Sequence, residues 1–179
     1  MNDVLTRKIL RYLAERLQRE PAEYTEWYKE FHAFIKEGIC TDQAYQEQLG
    51  KLLMFETSAG LDGEVITLDQ YIARCAPEQK NIYYLIAPDR KSAFASPYYE
   101  TFKKHNKEVL FLYNTIDDFV MSNLRNYAGR PLKSAEDASI KLDDELSEEE
   151  KKAKEEADAK AAEEKGEEKS DGKGLSDAE

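Results

Sequence analysis

The sequence has few cysteines and few histidines, and it has no long apolar runs. Cys40 and Cys75 are too few for a disulfide framework, and they fit buried or half-buried thiols in a reducing compartment. The longest apolar runs, 82–88 and 109–113, fall far short of the ~20 residues that a membrane-spanning helix needs. The two histidines have no plausible partners in sequence, so neither is predicted to bind a metal or to act as a catalytic base.

Glycine is missing where nucleotide-binding folds need it. The first strongly apolar segment is followed by the loop 87–92, which contains no glycine, so its backbone cannot approach a pyrophosphate as a dinucleotide fold requires. The chain has no Walker-type loop, and Ser92 and Ser96 lack the surroundings of a nucleophile elbow. From residue chemistry alone we predict an α/β module without a visible active site. An α/β enzyme with an unrecognised site stays open as an alternative.

The acidity of the chain is concentrated at its C-terminal end. The net charge is −11, and residues 141–179, with eight Lys and sixteen Asp or Glu, account for −8 of it. The remaining residues are close to neutral and offer no basic surface for nucleic acid. Residues 141–179 are also nearly free of apolar side chains, so we predict an acidic low-complexity tail, disordered or partly helical.

Residues 1–80 are predicted to form a helical connector. Apolar residues recur at helical spacing over 3–19, and Pro21 then opens a second helix at its first turn. We expect Gly38 to end this helix and Thr41 to cap a third helix over 42–54.

The second predicted helix carries an aromatic stripe. Its apolar positions are spaced three and four apart: Tyr24, Trp27, Tyr28, Phe31, Phe34 and Ile35. We interpret the stripe as the packing face of a helical pair, and a binding face is the alternative. Further along, 55–63 is predicted as a turn region, and Thr67 with Gln70 forms a capping box for a short helix.

Residues 81–140 are predicted to form a small α/β/α subdomain of three layers. Apolar runs at 82–87 and 109–113 are typical of buried strands, and Ser96-Pro97 caps a helix between them. This strand–helix–strand unit predicts a right-handed crossover and a short, mainly parallel sheet. Thr115 with Asp118 is expected to open a further helix that runs to about residue 127, and 132–134 is a candidate strand. The predicted fold class is therefore α/β, with a helical lead-in and a charged tail.

Several segments resemble the heat-shock protein 90 chaperone family. They are 31–39 (FHAFIKEGI), 52–58 (LLMFETS), 81–88 (NIYYLIAP), 96–100 (SPYYE), 108–111 (EVLF), 116–119 (IDDF) and 124–132 (LRNYAGRPL). Together they cover about residues 3–137 and are similar to the C-terminal part of that family's middle domain. The sequence of segments 87–90 and 96–100 is most similar to the mitochondrial branch, the tumour-necrosis-factor-receptor-associated proteins.

The resemblance implies an ATP-dependent chaperone that binds unfolded or partly folded clients and assists their folding, with co-chaperones as further partners. In that family ATP and Mg bind in an N-terminal domain, and a C-terminal domain forms a homodimer. We therefore expect this chain to be a fragment, a truncated product or an incomplete gene model that binds no cofactor and does not hydrolyse ATP alone. The resemblance also implies the mitochondrial matrix, with the cytoplasm as the alternative. The start of the sequence looks like neither a signal nor a transit peptide.

The resemblance further points to client-contact residues in the helix that opens at Thr115. Its bacterial members contact clients there through a carboxylate, an aromatic residue and a polar residue, which correspond to Asp118, Phe119 and Ser122. Phe119 stands where those members have Trp. The structural alternative is that Asp118 caps the helix and Phe119 packs inward. A third possibility is a non-catalytic adaptor that docks a partner on the early basic helix, through Arg7, Lys8 and Arg11.

Overall fold

The computed structural model of the chain describes residues 3–137. Its helices are α1 (Asp3–Arg19), α2 (Pro21–Thr41), α3 (Gln46–Gly50), α4 (Leu68–Arg74), α5 (Arg90–Ala95), α6 (Pro97–Lys104) and α7 (Thr115–Leu124), with a 3₁₀ turn at Gln43–Tyr45. Its strands are β1 (Met54–Thr57), β2 (Val65–Thr67), β3 (Ile82–Ile86), β4 (Leu110–Leu112), β5 (Asn126–Tyr127) and β6 (Arg130–Ser134). The predicted α/β class with a helical lead-in is confirmed.

The strands of this region form one mixed sheet in the order β2-β1-β4-β3-β6-β5. β3 pairs in parallel with β4 and with β6, with Tyr84 opposite Leu110 and Ile82 opposite Leu132. The β1–β2, β1–β4 and β5–β6 pairings are antiparallel. The predicted parallel crossover is therefore confirmed at the centre, while the whole sheet is mixed because a hairpin extends it on each side.

Helices cover both faces of this sheet, as a strand that is buried on both sides requires. Ile82 and Tyr84 of β3 belong to the main apolar cluster, which also contains Val120 of α7 and residues of α2. The next residue along the strand, Tyr83, faces the other way, and its ring centroid lies 4.9 Å from that of Phe102 in α6. The alternating β3 side chains therefore fill two cores, as the three-layer prediction requires.

The boundaries predicted around residue 40 were wrong. α2 continues past Gly38 to Thr41, and the Asp42 amide still donates to the Gly38 carbonyl at 2.9 Å. Thr41 caps nothing, because its hydroxyl donates back to the Glu37 carbonyl at 2.9 Å. Asp42 instead caps the 3₁₀ turn Gln43–Tyr45, and its carboxylate accepts from the Ala44 amide at 3.1 Å.

The third helix, predicted over 42–54, is shorter than predicted, and the predicted turn region 55–63 contains part of strand β1. Leu52, Leu53, Met54 and Phe55 are all buried, so this run has no exposed face and forms the entry to β1 rather than a helix end. The capping box at Thr67 is confirmed, with the Gln70 amide donating to the Thr67 hydroxyl at 3.2 Å.

The division of the chain at residues 80 and 140 stays a prediction. β1 and β2 precede residue 80 and share a sheet with β3–β6. The predicted acidic tail, 141–179, lies outside the described residues. Over 3–137, no helix combines the length and the apolar character needed to cross a membrane.

Candidate functional site

The three predicted contact residues lie together on the outer face of α7. Asp118, Phe119 and Ser122 are all exposed, and the Phe119 side chain is 59% exposed. Ser122 lies four positions after Asp118 and three after Phe119, so it neighbours both on the helix surface and the three side chains form one surface patch. We call Asp118, Phe119 and Ser122 the α7 patch. The opposite face of the helix buries Val120, Met121 and Leu124.

The inward-packing alternative for Phe119 was wrong, and so was the predicted cap. α7 begins after Asn114 rather than at a Thr115 cap, and Asp117 lies at the third helical position. The Asp117 carboxylate accepts from the Asn114 amide at 3.2 Å, which leaves Asp118 exposed to solvent. Phe119 lies at the edge of the apolar stripe, and the core side of that stripe is formed by Val120, Met121 and Leu124.

A buried ion pair fixes the inner side of α7 to α2. The Nζ atom of Lys36 lies 2.6 Å from Oδ1 of Asp117, and the two side chains are 4% and 2% exposed. Lys36 also lies over the Phe55 ring, 5.5 Å from its centroid. Because Asp117 points inward, Asp118 and Phe119 must point outward. The ion pair therefore sets the orientation of the α7 patch.

The C-terminal turn of α7 is closed by side chains. The Asn123 amide group donates to the Phe119 carbonyl at 2.8 Å, and Arg125 Nε donates to the Ser122 carbonyl at 3.3 Å. Arg125 has a φ of 55°, so the helix ends at Leu124 and not near Tyr127 as predicted. Carbonyls at a helix end otherwise need water, so these bonds stabilise the turn that carries Ser122.

Carboxylates make the surroundings of the patch acidic. Burial raises the pKa of the Tyr84 hydroxyl, and the nearby carboxylates of Asp118 and Glu136 raise that pKa further. Two carboxylates therefore act on the same phenol of the central strand β3. The patch combines one exposed aromatic ring with negative charge.

The β3–α5 junction, where a nucleotide fold would bind phosphate, is filled by the chain itself. Asp89 caps α5, and its carboxylate accepts from the Ser92 amide at 2.7 Å. Arg90 folds back to β1, where Nη1 lies 3.0 Å from Glu56 Oε2 and 2.9 Å from the Thr57 carbonyl oxygen. In the part of the chain that the structure describes, no three His, Cys, Asp or Glu side chains are grouped so that they could hold a metal ion.

A family model described as Hsp90 protein matches residues 1–169. The chain belongs to the Hsp90 family. The resemblance inferred from the sequence motifs is thereby confirmed at the level of the family.

Hsp90-family relatives of this chain include bacterial and mitochondrial proteins. The chain is 42% identical over 146 residues to the chaperone protein HtpG of Desulfotalea psychrophila, a match that covers 82% of this chain and 24% of that protein. It is 39% identical over 139 residues to the mitochondrial TNF receptor-associated protein 1 homolog of Dictyostelium discoideum, covering 76% of this chain and 20% of that protein. It is 34% identical over 138 residues to the mitochondrial heat shock protein 75 kDa of Bos taurus, again covering 76% and 20%. The chain thus spans about a fifth to a quarter of the length of these relatives.

The family resemblance indicated the three residues of the patch but left the orientation of Phe119 open, and nothing in the sequence motifs pointed to Lys36, which orients them. Lys36 follows Tyr28 and His32 at steps of four, so it continues a single line along α2. A lysine at helical spacing from Tyr28 and His32, both of which are at least partly buried, is the signal that could have indicated a buried partner. Because the partner lies on a distant segment, the line alone could not identify Asp117.

Proposed function

We propose that residues 3–137 serve as the C-terminal part of the middle domain of an ATP-dependent Hsp90 chaperone that binds unfolded or partly folded client proteins. The observation that carries the proposal is the exposed Phe119 ring, held outward beside Asp118 and Ser122. An apolar ring with adjacent polar groups suits clients that expose apolar side chains together with unpaired backbone groups.

The expected strength of each contact fits a chaperone that releases its clients. Fully burying a Phe side chain contributes about 1.5–3 kcal/mol, so covering the exposed part of Phe119 contributes roughly 1–2 kcal/mol. Such a contact is weak alone and tolerant of client sequence, because it needs only an apolar side chain on the client. Client binding would therefore depend on several contacts made at once.

An NMR titration of the isotope-labelled chain with a reduced, carboxymethylated and hence permanently unfolded protein tests this function. We expect amide shifts confined to α7, and we expect Phe119→Ser to remove them. Tyr98→Ser is the matched control, since Tyr98 is 49% exposed on α6, away from the patch. An unchanged α7 spectrum, or shifts that survive Phe119→Ser, would contradict the proposal.

We place ATP and Mg binding, and hydrolysis, outside residues 3–137. The capping by Asp89 and the return of Arg90 to β1 support this, because both occupy the junction that phosphate would need. The chain with Mg-ATP should show no saturable shifts for residues 87–92. Stoichiometric nucleotide binding at that junction would revive the enzyme alternative.

The same family membership supports proposals on compartment and assembly. Mitochondrial relatives support a place in the mitochondrial matrix, and bacterial HtpG relatives leave the cytoplasm as the alternative. Cell fractionation followed by detection with an antibody against residues 3–137 distinguishes the two. We further propose that the full-length protein is a homodimer whose dimerisation domain lies outside residues 3–137.

An adaptor module that docks a co-chaperone is the second candidate function. The observation that favours it is the exposure of Arg7, Lys8 and Arg11 on α1. Cross-links from a bound partner to α1, with none to α7, would support this reading against client binding.

A further inference from the structure

An apolar groove of about 580 Å³ lies between α1 and α2, away from the α7 patch. Its walls include Ile9, Leu13, Trp27, Phe31 and Phe34. The Trp27 and Phe31 rings stack with centroids 5.4 Å apart, and the Phe31 and Phe34 centroids are 6.3 Å apart. Ile9 is 48% exposed and Phe34 is 70% exposed, so the packing of α1 on α2 buries the apolar side chains of this groove only in part.

The border of the groove on α2 is acidic. Glu30 and Glu37 each follow an aromatic groove residue by three positions, so they neighbour Trp27 and Phe34 and flank the stripe of α2 that lines the groove. Asp42 lines the groove at its end. Within residues 3–137 none of these three carboxylates takes part in an ion pair, whereas seven other glutamates do: Glu15, Glu20, Glu23, Glu26, Glu47, Glu56 and Glu108.

Basic residues of α1 do not neutralise this border. Helical spacing places Arg7, Lys8 and Arg11 on the side of α1 opposite Ile9 and Leu13. Arg16 lies nearer, but it is paired with Glu20 at 3.1 Å and with Glu23 at 2.7 Å. The groove therefore presents an apolar floor beside unpaired negative charge.

We propose that this groove binds a cationic amphipathic helix of a partner protein. Apolar side chains of that helix, spaced three and four apart, enter between Ile9 and Phe34, and its Lys or Arg residues pair with Glu30, Glu37 and Asp42. The α2 segment from Trp27 to Thr41 spans about 21 Å, which matches about four turns of a bound helix.

The groove architecture favours a helix over an extended segment. Its lining residues lie on α1, α2, α3 and the 3₁₀ turn between them, or beside that turn, so none lies in a strand. An extended peptide gains its main-chain hydrogen bonds by adding to a sheet edge, and here its backbone groups would stay unpaired. A helix satisfies its own backbone and presents only side chains to the groove.

The single tryptophan of the chain reports on this site directly. Trp27 lines the groove, so a partner helix that covers it should shift its emission to the blue. The probe is a synthetic peptide of about four turns, without Trp, with Leu at helical spacing and Lys on one flank. Its matched control has Glu in place of each Lys.

We expect the Lys peptide to bind the full chain saturably and at least tenfold more tightly than the Glu peptide. Phe34→Ser should weaken binding at least tenfold, while Leu61→Ser, at a site that is 77% exposed, should leave binding unchanged. The double variant Glu30→Lys/Glu37→Lys should reverse the preference between the two peptides. These substitutions are at exposed positions, so the fold should be retained.

Three results would overturn the proposal. Equal affinity for the two peptides would show that the acidic border does not select a cationic helix. A blue shift that grows with protein concentration in the absence of peptide would identify a second copy of the chain as the occupant. Loss of binding in Phe119→Ser, with none in Phe34→Ser, would assign the peptide to the α7 patch. Client binding at α7 can fail while the groove binds its helix, so the two proposals are tested separately.

Discussion

Lys36 and Asp117 form a buried ion pair, with Nζ 2.6 Å from Oδ1, that joins the C-terminal half of α2 to the first turn of α7. The pair is shielded from water, so removing one partner leaves an uncompensated charge in the core. Asp117 also accepts from the Asn114 amide, so it belongs to the capping box of α7 as well as to the interhelical ion pair.

We expect Lys36→Met to lower the free energy of unfolding by about 3–5 kcal/mol, because it leaves the Asp117 carboxylate buried alone. Urea denaturation measures this change. The double variant Lys36→Met/Asp117→Leu should be less destabilised than the sum of the two single variants, since it removes both charges. Strict additivity would show that the two side chains do not interact.

Truncation of two neighbouring side chains on α7, Val120 and Phe119, should change the free energy of unfolding by very different amounts. Val120 is fully buried, so Val120→Ala should cost about 2 kcal/mol through lost burial and the cavity left behind. Phe119→Ser removes a larger side chain from an exposed position and should change stability by less than about 0.5 kcal/mol. Thermal unfolding of the two variants gives the comparison. A large loss in Phe119→Ser would mean that the ring packs inward.

Truncation of Thr67 and of Thr41 compares a threonine that caps a helix with one that was predicted to cap a helix but does not. Thr67→Ala should cost about 1 kcal/mol, because it removes one half of the capping box at α4. Thr41→Ala should cost much less, since the Thr41 hydroxyl bonds back to the Glu37 carbonyl at the end of α2 and caps no helix. Both variants can be compared by urea midpoints. A larger loss for Thr41→Ala would favour the helix start predicted from sequence.

His32 should make stability depend on pH below neutrality. Burial lowers the pKa of His32, and the Lys36 ammonium lowers it further, against the opposing effect of Asp117. In the unfolded chain the pKa of histidine is about 6.5, so the unfolded state takes up the proton first as the pH falls. The stability that depends on neutral His32 is therefore complete above about pH 6.5 and is lost as the pH falls through the folded-state pKa.

The measurement for His32 is the urea midpoint of wild type and of His32→Gln across the range from neutral to mildly acidic pH. Carboxylates titrate in both proteins, so the difference between the two curves isolates the histidine. The wild-type midpoint should fall more steeply with decreasing pH. Parallel curves would exclude a role for His32.

Local signals predicted much of this fold because the decisive partners are near in sequence. The capping box of Thr67 and Gln70 needs only three residues, and the parallel crossover needs only two apolar runs with a helix between them. β1 was missed for a physical reason. A run such as 52–55, buried on all sides, has no polar face, so periodicity cannot distinguish a strand from the end of a helix.

The α7 patch was predictable in position but not in orientation. Asp117 and Asp118 are adjacent carboxylates, and either could cap a helix that opens near Thr115. Lys36, far away in sequence, selects Asp117 for the interior. The exposure of Phe119 follows from that choice, which tertiary packing makes and local sequence does not.

The turn between β5 and β6 gives the most direct test of backbone conformation. Ala128 and Gly129 have φ angles of 49° and 76°, and they connect Tyr127 to its pairing partner Arg130. Two central residues with positive φ define the hairpin turn whose twist matches that of the strands, and glycine adopts this conformation without a clash of its side chain. Alanine at position 128 is therefore strained.

Ala128→Gly should raise the free energy of unfolding, by up to about 1 kcal/mol, because relief of strain exceeds the added freedom of the unfolded chain. Gly129→Ala should lower it by about 1 kcal/mol or more, although an added Cβ meets no atom within 4 Å. The cost at Gly129 is then conformational and not steric crowding by neighbours. Urea unfolding of both variants tests the pair, and a stabilising Gly129→Ala would exclude this turn geometry.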